Sequence, residues 1–250
     1  MSYITRDKPI PLYFQLEEIL RQKIVNKVYL PGQPIPAETQ LVEEYDVSRI
    51  TVRKAVDNLV LSGLLTRKRG VATYVAEPKI THRIGSIYSS TEEILARGLT
   101  PGTEFLEKNR IDPPDYIRRE LALDENAKAF RLKRLRFANN EPVAILTSYV
   151  PEELAPGLIS NEFTENSLYR TLEQRYNLKL SECDEYIEAQ IIRGDDARLL
   201  GLGNSGPVLA VKRLTYLDSS RAIESLIALY RSDRYKYQVK LKGRAEGRLL

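Results

Sequence analysis

Arg49, Arg53, Lys54, Arg67, Lys68 and Arg69 crowd between Val47 and Val75 against one acid, Asp57. Guanidinium and ammonium groups hydrogen-bond phosphate oxygens, and arginines and hydroxyls on a helix also reach base edges. Ser48 and Thr51 place hydroxyls beside the first of these cations. Such a set binds a nucleic-acid backbone; it does not make or break bonds. Groups that would do so are scarce. His82 is the one histidine and Cys183 the one cysteine in 250 residues. A single histidine leaves little acid–base capacity near neutral pH. One histidine and one cysteine cannot build a zinc site of the usual composition from one chain. There is no Ser/His/Asp set, Walker loop or dinucleotide fingerprint. The expectation is a binding protein, not an enzyme, with no catalytic residue, no cofactor and no metal.

The elements that position the cations follow from spacing. Val52, Ala55, Val56, Leu59 and Val60 recur at helical intervals. Ser48 is placed to cap that helix and Gly63 to end it. Ser48, Arg49, Thr51, Arg53 and Lys54 then lie on its first turns. A hairpin follows, with Arg67, Lys68, Arg69 and Gly70 at its tip. A basic-fronted helix followed by a basic hairpin is the footprint of a winged helix-turn-helix DNA reader. Upstream, Pro11 opens an amphipathic helix that carries Leu12, Leu16, Ile19, Leu20 and Ile24 and ends near Val28. Prolines at 31, 34 and 36 then force a turn or extended connection. The short helix Glu38 to Tyr45 is acidic, with Glu38, Glu43, Glu44 and Asp46 at or near it. A cationic face for phosphate requires those acids to point away or to hold the basic residues in place.

The chain is 42 % apolar and 29 % charged, with a net charge of +4. That suits a soluble globular protein of two domains. The charge is too mild to argue for nucleic acid, so local clustering carries that reading. No run of about 18 apolar residues marks a membrane span, and a lone cysteine fits a reducing cytoplasm. After Ala76-Glu77-Pro78-Lys79 the pattern changes. Ala129 to Phe137 and Pro142 to Val150 flank the turn pair Asn139-Asn140, and Val208 to Leu217 and Ala222 to Tyr230 flank residues 218–220. Lys133-Arg134-Leu135 in one unit echoes Lys212-Arg213-Leu214 in the other. Short helices are expected at Thr91 to Arg97, after Pro114, at Ser167 to Tyr176 and at Asp195 to Leu200, with a long strand from Ser181 to Arg193. Strands with helices between them read as an α+β domain with a mostly antiparallel sheet.

These residues resemble a known family. Leu30-Pro31-Gly32, Pro36-Ala37-Glu38, the run Val47 to Arg53, Gly63 and Gly70 are similar to the DNA-binding domain of GntR-family bacterial transcription regulators. Leu99 to Gly102, Leu132 to Arg136, Glu141 to Ala144, Thr147 to Pro151 and Tyr230 to Tyr235 resemble the HutC subfamily. Its second domain, called UTRA, has a chorismate-lyase-like fold. The resemblance implies a winged helix-turn-helix DNA-binding domain over 1–76, a linker over 77–84, and a UTRA effector-binding and dimerisation domain over 85–250. It implies a cytoplasmic homodimer on a pseudo-palindromic double-stranded operator, with no membrane partner. A small effector, anionic or phosphorylated, changes DNA affinity, and repression rather than activation is expected.

On that resemblance Ser48, Arg49, Thr51 and Arg53 match DNA-contact positions, and Gly70 matches the wing tip. Thr39 stands where the family often has a DNA-contacting arginine. Ser89, Ser90 and Thr91 match a phosphate-holding helix start, Arg134 and Arg136 match effector-facing arginines, and Ser167 and Tyr230 match further pocket positions. Leu146 stands where amino-sugar-phosphate responders tend to carry a glutamate, which argues against an amino-sugar effector. Plainer readings stand beside these. Arg213 occupies the place of Arg134 in the second unit, so structural and ligand roles for Arg134 and Arg136 are both open. Glu92 and Glu93 suit an ordinary helix start. Glu224 suits a structural pairing, and His82 and Cys183 an inert one. The alternatives are a DNA-binding dimer without an effector, or a lyase-like enzyme, which fold analogy alone does not support.

Overall fold

The computed structural model describes residues 3–7, 9–68 and 72–241. The chain divides into two compact units, Met1–Pro78 and Lys79–Leu250.

In the first unit, α1 (Leu12–Val25), α2 (Glu38–Tyr45) and α3 (Arg49–Leu61) precede an antiparallel pair, β1 (Leu65–Lys68) and β2 (Ala72–Val75). Pro11 stands at the N-cap of α1. Leu16, Leu20, Leu41, Val52, Val56 and Leu59 close the core between the helices. Burying such side chains contributes roughly 1.5–3 kcal/mol each. The proline-rich segment lies along β2, with Gly32 N–H donating to Val75, Ile35 N–H to Thr73 and Val75 N–H to Gln33. Gly32 sits at φ +75°, a left-handed conformation that favours glycine, and a Cβ there would also push aside the Glu77 carboxylate, 2.4 Å away.

The second unit is built on one six-stranded antiparallel sheet in the order β4-β5-β6-β9-β8-β7. Its strands are β4 (Pro101–Ile111), β5 (Ala129–Ala138), β6 (Glu141–Pro151), β7 (Leu180–Arg193), β8 (Ser205–Leu217) and β9 (Ala222–Arg231). Asn139 and Asn140 turn β5 into β6 with φ of 49° and 64°, conformations that asparagine tolerates. The hairpins β5–β6 and β8–β9 meet at β6–β9, so the echoed Lys-Arg-Leu text lands on strands symmetric about the sheet centre. Around the pocket described below stand α4 (Ser90–Leu95), the 3-10 turns Leu158–Ser160 and Thr164–Asn166, and α6 (Leu168–Tyr176). On the other sheet face α5 (Asp115–Glu120) packs beside Ala129 and Tyr149, while α7 (Asp195–Leu199) leads into Leu200, which packs beside Leu135 and Ile145.

Residues 77–84 differ from a plain linker. Ile80–Arg83 form β3, paired in parallel with β10 (Tyr235–Gln238), and both strands belong to the second unit. A four-residue strand whose partner lies more than 150 residues away leaves no periodic signal in its own text. The basic C-terminal residues Lys242, Arg244 and Arg248 lie outside the described residues.

Candidate functional site

In the first unit the candidate surface is the start of α3. Ser48 caps it: its Oγ accepts from Thr51 N–H at 3.2 Å and lies 2.8 Å from Thr51 Oγ1. Leu64 N–H returns to Leu59 past Gly63 at φ +73°, which closes the far end. The cap turns Val52, Ala55 and Val56 inward and leaves Arg49, Ile50, Arg53 and Lys54 exposed. Ile50 is 81 % exposed, an apolar side chain set among the cations. Arg49 has no ion-pair partner among the described residues. Arg53 Nε lies 3.7 Å from Glu38, and Arg67 reaches Glu38 at 3.4 Å and Asp57 at 2.5 Å. The acidic helix therefore pairs with basic residues through Glu38 rather than merely pointing away. Lys54 Nζ sits 3.9 Å from the centre of the Tyr13 ring on α1. Lys68 ends β1, and Arg69 and Gly70, expected at the hairpin tip, lie outside the described residues. Thr39 is exposed on the first turn of α2.

In the second unit, Ser89, Ser90, Thr91, Arg134, Arg136, Ser167 and Tyr230 all line one pocket. Its free volume is about 20 Å³, room for about one water molecule. Alternation along β5 puts Arg134 and Arg136 on the same sheet face, and both are buried, at 5 % and 1 % exposure. Their bonds go to neutral acceptors. Arg136 donates to Thr91 Oγ1 at 2.8 Å, to the Asn166 carbonyl at 3.3 Å and to Thr103. Arg134 donates to Ser148 Oγ at 2.8 Å. Nε of each arginine is buried with no hydrogen-bond partner among the described residues. Burial, and then the charge of Arg134, lowers the Arg136 pKa to about 10. Burial also lowers that of Arg134, against the opposing pull of Glu224. Guanidiniums hold their protons tenaciously, so the shifts record the cost of burying two neighbouring cations, of which Glu224 offsets part at Arg134.

The helix start is an ordinary cap. Ser89 Oγ accepts from Glu92 N–H at 3.2 Å, and Ser89 N–H donates to the Glu92 carboxylate at 2.8 Å. Glu93 does not serve the helix end, because its side chain bonds His82. That histidine, expected to be inert, is buried at 3 % exposure between two glutamates. Ser167 caps α6, accepting from Arg170 N–H at 3.4 Å.

Spacing missed the opposite wall of the pocket. Tyr169 hydroxyl donates to the Glu224 carboxylate at 2.8 Å and accepts from Arg213 at 3.2 Å. Burial, and then the charge of Glu224, raises the Tyr169 pKa, which keeps the phenol a donor. Arg213 also donates its Nε to Glu185 at 2.6 Å, the structural pairing that the sequence allowed. Tyr169 is one of 15 tyrosines, and nothing in its neighbourhood distinguishes it. Among the described residues no cluster of three or more His, Cys, Asp or Glu side chains is placed to hold a metal, and no helix is long and apolar enough to cross a membrane.

Comparison with known proteins adds identity to this geometry. Residues 12–75 match the family of bacterial regulatory proteins called gntR, and residues 96–236 match the UTRA domain. The HTH-type transcriptional repressor NagR of Bacillus subtilis is 35 % identical over 234 residues, 94 % of this chain and 96 % of that protein. The histidine utilization repressor of Pseudomonas putida is 32 % identical over 210 residues, 83 % of each chain. The crystal structure of PhnF from Mycobacterium smegmatis superposes with a TM-score of 0.65 at 26 % identity, covering 93 % of this chain and 99 % of that one. The chain belongs to the gntR family of bacterial regulatory proteins, as a transcription regulator of the HutC type whose second unit is a UTRA domain.

Proposed function

We propose that this regulator is a repressor that reads its operator with the start of α3 and releases it when a small anionic metabolite binds between β5, α4 and α6. Repression is supported by the names of its relatives, NagR of Bacillus subtilis and the histidine utilization repressor of Pseudomonas putida among them. The DNA side is supported by exposed Arg49, Arg53 and Lys54 on the first turns of α3, with Ser48 and Thr51 shaping the helix start. Arg67, exposed on β1, extends that surface, and the sequence adds Lys68, Arg69 and Gly70 after it as the expected wing.

One observation carries the effector class. Arg136 is 1 % exposed, and its hydrogen bonds among the described residues end on neutral oxygens. A buried cation without a counter-charge is costly, and a bound anion removes that cost. A carboxylate or phosphate seated on Arg134 and Arg136 fits, with Ser89, Ser90, Thr91, Ser167 and Tyr230 around it. The helix dipole adds little, since α4 has only six residues. Room for about one water means that entry displaces the wall. Asn166 lines the pocket, in a turn where Glu165 and Asn166 take φ of 50° and 53°.

A homodimer on a pseudo-palindromic operator completes the reading. Support comes from β7, a fourteen-residue edge strand exposed on both faces between Tyr186 and Ile191. Tyr186, Ile187 and Ile191 stand exposed among its charged residues, and apolar side chains on a bare edge strand invite pairing with another chain. Antiparallel pairing with a second copy, centred on Ala189, sets Ile187 opposite Ile191 twice and covers both.

The test is a thermal-shift screen of organic acids and phosphate esters, followed by anisotropy titration of DNA selected by the chain. A hit that raises the melting temperature and weakens DNA binding is expected. No stabilising anion across those classes would sink the effector, leaving a DNA-binding dimer.

A further inference from the structure

β3 begins two residues past the boundary between the units, and its histidine is held from two sides. His82 Nδ1 bonds the Glu93 carboxylate, and Nε2 lies 3.6 Å from Glu185. Both partners lead back to the pocket. Glu93 rides on α4, whose first turn lines it. Glu185 receives Nε and Nη2 of Arg213 at 2.6 and 2.5 Å. The Nη1 of Arg213 donates to the Tyr169 hydroxyl at 3.2 Å, and that hydroxyl donates to Glu224 at 2.8 Å. A run of contacting polar side chains thus joins the pocket wall to β3. Every member but Glu185 is less than a tenth exposed, and the Glu185 side chain is 13 % exposed.

We propose that His82 is a positioning residue of the effector response, coupling Tyr169 and Arg213 in the pocket to the strand that leads out of the first unit. This rests on reading the pocket as the effector site. Buried polar groups must stay paired, because a low-dielectric interior penalises an orphan heavily. If an anion draws Arg213 towards itself, directly or through the Tyr169 hydroxyl it bonds, Glu185 loses donors and must find others. The nearest is His82, which is shared with Glu93. A shift at Arg213 therefore becomes a shift in what holds β3. Ile80 anchors the start of the strand in the core, so the shift acts on its His82 end. The strand pairs along one edge only, with β10, and its His82 ring packs on Tyr237 at 4.5 Å between centroids. Arg97 donates to the Thr81 carbonyl at 2.7 Å, and this too comes from the end of α4. Both routes into β3 therefore start from elements that wall the pocket.

Amide hydrogen exchange on the full chain tests the coupling without knowledge of the effector. Tyr169→Phe removes one hydroxyl at the pocket and leaves His82 in place. It should speed exchange at residues 80–83 by about tenfold, the scale of one lost hydrogen bond to a charged group. Ser148→Ala, which loosens Arg134 on the same sheet face but outside this run of contacts, should leave those amides unchanged. In a His82→Gln background, Tyr169→Phe should add nothing further. Wild-type exchange at residues 80–83 in Tyr169→Phe, or independent multiplying effects of the two substitutions, would overturn the proposal. A histidine serving only to fill the core gives the second of these results. Should Tyr169→Phe not fold, Arg213→Lys disturbs the same arm. A thermal-shift titration of the wild type with inorganic phosphate and phosphate esters keeps the two readings apart. No stabilisation by any of them would sink the effector-pocket reading, whereas the exchange result would still decide the coupling.

Discussion

Arg136 on β5 donates to the Thr91 hydroxyl on the first turn of α4 at 2.8 Å, which ties the sheet to the helix across the pocket. No carboxylate shares that guanidinium among its hydrogen bonds, so the contact orients a charge without neutralising it. Arg136→Met keeps the bulk and removes the charge. Removing one partner of a buried ion pair costs about 3–5 kcal/mol, whereas replacing the whole pair by packed apolar atoms is often neutral or gains about 1–4 kcal/mol, and a cation with no hydrogen-bonded counter-charge has no pair to break. The melting temperature of Arg136→Met should therefore hold or rise, while stabilisation by inorganic phosphate or a phosphate ester is lost. A melting temperature that falls by many degrees would assign Arg136 a structural role.

On the DNA side, Arg49→Ala and Arg53→Ala should each weaken binding to a selected duplex by about tenfold or more. The slope of log affinity against log salt tells the roles apart. A phosphate contact reduces it by about one, whereas a base contact relaxes sequence preference at one position. Unchanged binding in both variants would remove α3 as the reading element.

Glu38 competes with phosphate for Arg53 and Arg67, which it approaches at 3.7 and 3.4 Å. Glu38→Gln should raise affinity for DNA of any sequence by a few-fold at low salt and lower the preference for the operator. Anisotropy titrations against selected and scrambled duplexes would measure both. Reduced affinity for both would mean that Glu38 positions the arginines rather than restraining them.

Ser48 carries the N-cap of α3, and its side chain has no other described partner than Thr51. Ser48→Ala should cost about 1 kcal/mol of stability, read as a lower denaturation midpoint with an unchanged slope. Ser48→Asp should restore that stability yet still bind DNA poorly, because the added carboxylate repels phosphate.

Ile191 is 67 % exposed on the edge strand. If a second copy pairs there, Ile191→Lys should shift the chain to a monomer in analytical ultracentrifugation and weaken operator binding. Binding to half-site DNA should survive. A dimer that persists in Ile191→Lys would place the interface elsewhere.

Much of the first unit was legible in order along the chain. Ser48 capping α3 and Gly63 ending it are local events, settled by residues within one turn. The apolar spacing of α1 and α3, and the Asn139-Asn140 turn, are equally local, because a helix or a hairpin is bonded mostly to its own neighbours. The alternation along β5 also told that Arg134 and Arg136 share a face. It did not tell whether that face was wet.

What the sequence by itself determined is therefore the kind of element at each stretch and which cations front α3. What only the tertiary structure decided is which strands became neighbours. Placing β9 beside β6, and β8 beside β9, brought Arg213 and Glu224 to the pocket of Arg134 and Arg136. Pairing β3 with β10 buried His82 against Glu93 and Glu185. These polar groups lie far apart along the chain, so no periodicity records their meeting. The requirement that buried charge be paired acts on neighbours in space, and the fold alone decides who those neighbours are.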